Sequence, residues 1–158
     1  MVGKSPTRIE NEDESMEIIT IHEDVKTNIE AIEVCGQALL KKGYITQDFI
    51  ADCLEREQDY PTGLESPICV AMPHGNCNFV KKSALCVLIP NQSIPFQRMD
   101  DNSQSVDAQA IFMLAISDSN QHLESMKRLL ALFYDKNEME LLMSLTNEDL
   151  QTRLTALL

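Results

Sequence analysis

At 158 residues the chain fits one domain, and 44% hydrophobic content with only five glycines and six prolines excludes a disordered or fibrous chain in favour of a globular one with a substantial core. Thirteen lysines and arginines against 25 aspartates and glutamates leave a formal charge of -12, a field that repels phosphate backbones and anionic lipid, so neither nucleic acid nor membrane is an expected partner. No apolar run approaches the ~20 residues that span a bilayer, and the N-terminus lacks the basic-then-apolar order of a signal peptide, which predicts a cytoplasmic protein.

Residues 1–15, "MVGKSPTRIENEDES", are polar and acidic without helical or strand period; they read as a flexible lead-in, native or a cloning remnant, ahead of one domain over residues 16–158. From Asp24 onward Val25, Ile29, Ile32, Cys35 and Leu39 recur at helical spacing, and Gly43 after two lysines marks the stop. Thr46 is placed to cap a second helix with Phe49, Ile50, Cys53 and Leu54 on one face. Pro61 and Gly63 end that helix in a loop, so Arg56 and Glu57 stand at its C-terminal end.

Three apolar runs of strand length come next, over residues 68–72, 84–89 and 110–116; they lack clean alternation, which predicts burial on both faces and a central sheet covered by helices. Between the last two, the polar segment 97–105 with Asp100, Asp101 and Asn102 predicts an exposed loop whose acids are solvated. After Ser117 a helix carries Leu123, Met126, Leu129, Leu130 and Phe133 on one side, with Asp118, Ser119 or Asn120 as cap and His122 in its first turn. Two shorter helices close the chain, around residues 138–145 and from Asn147, where Leu150, Leu154 and Leu157 mark the buried stripe. This order of elements predicts an α/β fold of three layers, α/β/α.

The chain has three histidines, His22, His74 and His122, so histidine chemistry has few candidates. His74 stands where the run 68–72 leaves the sheet, between Pro73, which fixes its own φ and holds Met72 extended, and Gly75, which lets another group approach the backbone closely. An imidazole presented so rigidly serves either packing or nucleophilic chemistry. In its neutral form it attacks phosphorus through the nitrogen that keeps its lone pair, giving a reactive phosphoramidate that passes the group on. Such a carrier needs alignment, a fixed tautomer and positive or N–H groups for the phosphoryl oxygens. Arg56 offers a planar cationic fork, and His122 offers a donor near a helix N-terminus. Taken singly, Arg56 reads equally as a solvated helix end and His122 as a packed first-turn residue. The five cysteines, Cys35, Cys53, Cys69, Cys77 and Cys86, are scattered in apolar contexts and read as reduced core thiols. Cys69, His74 and Cys77 lie close in sequence, but there is no second ligand pair at zinc spacing, so no metal is expected.

The stretch "REQDYPTGLESPICVAMPHG" at residues 56–75 resembles the signature of enzyme IIA components of the bacterial phosphoenolpyruvate-dependent sugar phosphotransferase system, in the fructose-mannitol class. The Arg-Glu pair, the Pro-Thr-Gly step and the strand ending in Pro-His stand in that family's order. Further similarity lies in "PFQRMDD" at 95–101, "AIFMLAI" at 110–116, "HLESMKRLLALF" at 122–133 and "TNEDLQTRL" at 146–154. Within the class, "REQDYPTGL" and "FQRMDD" look most like galactitol-type IIA proteins.

The resemblance implies a mixed, five-stranded sheet with helices on both faces. It implies that His74 takes phosphate from the phosphocarrier HPr and discharges it onto a cysteine of enzyme IIB, with the membrane transporter IIC an indirect associate. Arg56 then matches the family's phosphate-side arginine and His122 its second active-site histidine. Thr62 lies in the loop beside them as a further phosphate-binding residue. It implies no cofactor and no metal. An alternative keeps the phosphohistidine but makes the chain a regulator, like nitrogen-type IIA proteins that bind partners according to phosphorylation state. A third reading, a IIA-like protein that only binds, is opposed by the presence together of Arg56, His74 and His122.

Overall fold

The computed structural model describes residues 16–158; the lead-in expected over residues 1–15 lies outside them. In chain order the described elements are β1 (Glu17–His22), α1 (Asn28–Lys41), α2 (Gln47–Asp59), β2 (Gly63–Leu64), β3 (Val70–Ala71), β4 (Ala84–Ile89), β5 (Ile94–Gln97), β6 (Ser105–Ala108), β7 (Ala110–Ala115), α3 (Ser119–Phe133), α4 (Lys136–Met143) and α5 (Asn147–Leu157). Five strands form one sheet in the order β1-β4-β7-β3-β2, while β5 and β6 pair as a separate hairpin. The sheet is mixed: β1 runs parallel to β4 and β3 parallel to β7, whereas β4 with β7 and β2 with β3 are antiparallel.

The central strands explain the layers. All six residues of β4 and all six of β7 are buried, so neither strand shows the alternation of a half-wet sheet. Ala84, Cys86 and Leu88 pack with Ile32, Cys35 and Leu39 of α1 and Phe49 and Cys53 of α2 on one face. Leu85, Val87 and Ile89 pack with Leu129 and Phe133 of α3, Leu142 of α4 and Leu154 of α5 on the other. The result is the expected three-layer α/β/α arrangement around a mixed five-stranded sheet. No helix among the described residues is long and apolar enough to cross a membrane.

Several element boundaries differ from the sequence reading. The first helix starts at Asn28, because the Thr27 hydroxyl accepts from the Glu30 N–H at 3.1 Å while the Glu30 carboxylate accepts from the Lys26 N–H at 2.6 Å. Val25 is buried from the loop ahead of that helix, and Ile29, expected on the buried face, is 54% exposed. Gly43 does end the helix, with φ of 81° and the paired bonds Gly43 N–H to Leu40 O and Tyr44 N–H to Leu39 O of a Schellman stop. Leu123, expected on the buried side of α3, is 55% exposed; Leu132 is buried instead. Strand β1 and the arms of the β5–β6 hairpin are additions that the sequence pattern does not announce.

The strand expected over residues 68–72 shrinks to Val70–Ala71. Gly63, where the loop after α2 meets the hairpin, has no room for a side chain: a Cβ there would lie 2.6 Å from the Gln97 carbonyl oxygen. That close approach lets the Met99 N–H reach the Gly63 carbonyl at 2.8 Å and brings the hairpin tip beside the end of α2.

Candidate active site

Past the end of β3 the chain keeps the same register along β7. Val70 faces Ala110, Ala71 faces Ile111, and His74 faces Leu114 in an isolated parallel bridge. Pro73 has no N–H to give, yet its carbonyl accepts from the Leu114 N–H at 3.0 Å, so the segment is held to the sheet up to the histidine. The His74 ring then turns back on its own strand, with Nδ1 2.9 Å from the Met72 carbonyl oxygen. A carbonyl only accepts, so in the neutral ring Nδ1 carries the proton and Nε2 keeps its lone pair.

Strand β7 runs parallel to β3 and leads through Ser117 into α3, so both strands deliver their next residues to the same side of the sheet, where α/β sites usually form. Asp118 caps α3 by accepting from the Gln121 N–H at 2.9 Å, which sets the helix start and puts His122 in the first turn. The His122 and His74 ring centroids are 5.3 Å apart with planes at 52°. Burial first, and then the electrostatic influence of the neighbouring His74 and Arg56, push the His122 pKa below the ordinary histidine value, so its neutral form is favoured. Its Nδ1 is buried and has no hydrogen-bond partner among the described residues.

Helix α2 supplies the cationic side. Arg56, in its last turn, donates from Nε to Asp52 Oδ2 at 2.9 Å, and among the described residues no acceptor is bonded to its two terminal nitrogens. The same Asp52 oxygen accepts from the Asn76 N–H at 2.7 Å, two residues beyond His74. Arg56, Thr62 and His74 line one cleft of about 730 Å³, walled also by Tyr60, Met99, Asp100, Asp101 and Met126.

Thr62 lines the cleft but does not offer it a donor. Its N–H and its hydroxyl both donate to the Glu57 carboxylate, each at 2.8 Å, and the residue is buried. Where a direct phosphate contact was expected of Thr62, the structure shows both of its donors engaged with a buried carboxylate, which shapes the loop after α2. Burial raises the Glu57 pKa, and the two bonds from Thr62 offset part of that rise.

A family model described as "Phosphoenolpyruvate-dependent sugar phosphotransferase system, EIIA 2" matches residues 14–154. The chain belongs to this family. It is 27% identical over 133 residues to the mannitol-specific phosphotransferase enzyme IIA component of Bacillus subtilis, covering 84% of this chain and 89% of that one. It is 25% identical over 127 residues to the galactitol-specific EIIA component of Escherichia coli K12, covering 80% and 84%. Among solved structures it superposes with TM-score 0.67 on the mannitol IIA crystal structure from Escherichia coli, 25% identical, over 84% of this chain and 91% of that one.

An EIIA component is a phosphoryl carrier for sugar or hexitol uptake, and its phosphotransfer goes through a histidine. Arg98 pairs with Glu65 at 3.0 Å and with Asp100 at 2.7 Å, fixing the hairpin tip as one wall. The acids of the 97–105 loop are exposed as expected, but Asp100 and Asp101 also face the cleft, which their spacing alone did not indicate. Tyr60, Met99 and Leu123 are large apolar side chains left exposed at 76%, 42% and 55%. Among the described residues no group of three or more His, Cys, Asp or Glu side chains is arranged to hold a metal ion.

Proposed function

We propose that His74 is the phosphorylated residue and that Nε2 is the attacking atom. Its lone pair forms the N–P bond to the phosphoryl group of phospho-HPr as the donor's own bond to phosphorus breaks in line. In the second step the thiolate of an enzyme IIB cysteine attacks the same phosphorus and Nε2 leaves with its lone pair restored. The observation that carries this reading is the bond from His74 Nδ1 to the Met72 carbonyl, which fixes the tautomer and leaves Nε2 as the nucleophile.

The groups around it suit a phosphoryl carrier. Arg56 presents its two terminal nitrogens, uncommitted among the described residues, as a fork for phosphoryl oxygens. A buried N–H without a partner costs more than a bare lone pair, so neutral His122 holds its proton on Nε2 and keeps Nδ1 bare, leaving one N–H for a phosphoryl oxygen. Thr62 acts behind the site through Glu57. The mannitol and galactitol relatives described above are named for hexitols, which supports a hexitol system; the "REQDYPTGL" and "FQRMDD" segments favour the galactitol type. A solved complex of the mannitol IIA with phosphorylated IIB is a fold-level match, with TM-score 0.68 at 24% identity over 84% of this chain and 90% of that one. Its partner, a phosphorylated IIB, supports enzyme IIB as the acceptor here.

The test is intact-protein mass after incubation with phosphoenolpyruvate, enzyme I and HPr. Wild type gains one acid-labile phosphoryl group and folded His74→Ala gains none. Phosphate on the variant would move the reaction to another residue.

A further inference from the structure

An Asp–Arg pair four apart on a helix is ordinarily a surface ion pair and carries no functional message. Asp52 departs from that pattern in one respect. The oxygen that accepts from Arg56 Nε also accepts from the backbone N–H of Asn76, 24 residues away in the chain and two beyond His74. One atom thus ties the cation of the site to the loop that bears the nucleophile. Gly75 makes this possible: a Cβ there would lie 3.2 Å from that same oxygen and 3.1 Å from the ring of Phe49. Phe49 is wholly buried in the core, so a side chain at 75 would crowd the carboxylate and ask it to give by a few tenths of an ångström.

We infer that Asp52 is the positioning residue of the phosphotransfer site, holding Arg56 and the His74 loop at a fixed separation through a single carboxylate oxygen. Its choice of Nε matters. A free arginine side chain samples many rotamers, and fixing it by Nε removes most of that freedom while leaving both terminal nitrogens for phosphoryl oxygens. A carboxylate bound instead to the terminal pair would block the fork the phosphate needs. Asp52 is itself only partly exposed, at 22% of its side chain, and its bond to Arg56 is part-buried.

This inference rests on the reading of His74 as phosphoryl acceptor and Arg56 as its cation, and its test separates the two. Single-turnover phosphorylation by phospho-HPr is measured for wild type, Asp52→Asn, Asp52→Ala, Arg56→Ala, the Asp52→Ala/Arg56→Ala double variant and His74→Ala, each first shown to be folded by its amide spectrum. Asp52→Ala slows transfer on the order of tenfold, as a misplaced charge does. Asp52→Asn, whose carbonyl oxygen still accepts both bonds, keeps most of the rate. In the double variant the Asp52 change costs clearly less than it does alone, because the arginine it positions is gone and only its hold on the loop remains. A wild-type rate in Asp52→Ala, or losses that multiply in the double variant, would overturn the inference. Phosphorylation of His74→Ala would instead sink the reading beneath it.

Discussion

At the β1 edge of the molecule a histidine is tied to a neighbouring helix. His22 Nδ1 bonds the side-chain oxygen of Asn147, the Thr20 hydroxyl donates to the Asn147 carbonyl at 2.8 Å, and the Gln151 amide donates to the Ile18 carbonyl at 2.8 Å. These bonds stitch α5 to the edge strand. Beyond the ends of β3 and β7, by contrast, His74 spends one nitrogen on its own backbone, and among the described residues His122 leaves a buried nitrogen without a partner and Arg56 commits only Nε. A fold that joins its polar groups to one another at one edge and leaves donors and a lone pair uncommitted at another is a reason to look for a ligand there. On the proposed reading the same residue type is a fastener in one place and a reagent in the other.

The largest expected effect tests that contrast head on. His74→Ala abolishes phosphate uptake, whereas His22→Ala leaves it at the wild-type level and lowers only thermal stability; mass spectrometry and melting curves on both variants decide it. Equal loss of phosphate uptake in the two would erase the distinction. Next in size, Arg56→Ala slows phosphorylation about 100-fold without abolishing it, since it removes charge stabilisation but not the nucleophile. Stopped-quench transfer from phospho-HPr measures this, and an unchanged rate would return Arg56 to the solvated helix ends.

Thr62→Val should behave as a structural change. It removes a bond to the buried Glu57 carboxylate and costs about 1–3 kcal/mol in denaturant unfolding, while the folded protein transfers phosphate at close to the normal rate. A large rate loss at unchanged stability would restore the direct phosphate contact. The smallest effect is a titration. His122 is held below the ordinary histidine value, so in the unphosphorylated protein it binds its proton less readily than in the unfolded chain. Its contribution to stability is therefore complete above the ordinary value of 6.5 and is lost as pH falls through it toward the depressed value. Phosphate on His74 supplies negative charge beside the ring and should raise the His122 midpoint; ring-proton NMR in the two states reads this directly, and a midpoint that stays put would separate His122 from the phosphoryl group.

Much of the fold and site is legible in the sequence, for reasons tied to particular residues. The runs at 84–89 and 110–116 announce β4 and β7 because strands buried on both faces have no polar alternation to confuse them. Pro73-His74-Gly75 marks its histidine because the flanking residues constrain backbone geometry on their own. What escapes is tertiary. The edge strand β1 lies between acidic segments, and each arm of the hairpin is four residues long, too short for a period to show. Ile29 and Leu123 fit a helical stripe yet face outward, because a stripe of 3.6 period does not say where the neighbouring layer stops. Asp52 and Arg56 could be paired from spacing, but the bond to Asn76 exists only once α2 is laid against the loop after β3. Thr62 falls to phosphate in a sequence reading because proximity to the site does not reveal that a buried glutamate five residues back takes both its donors.

The measurement that bears most directly on the central claim is the identity of the phosphorylated atom, read by ¹⁵N-resolved NMR of the histidine rings in the phosphoprotein. The bond between Nδ1 and the Met72 carbonyl predicts a single phosphoryl group on Nε2 of His74, with Nδ1 still protonated. Phosphate on Nδ1 of His74, or on His122 or His22, would contradict it.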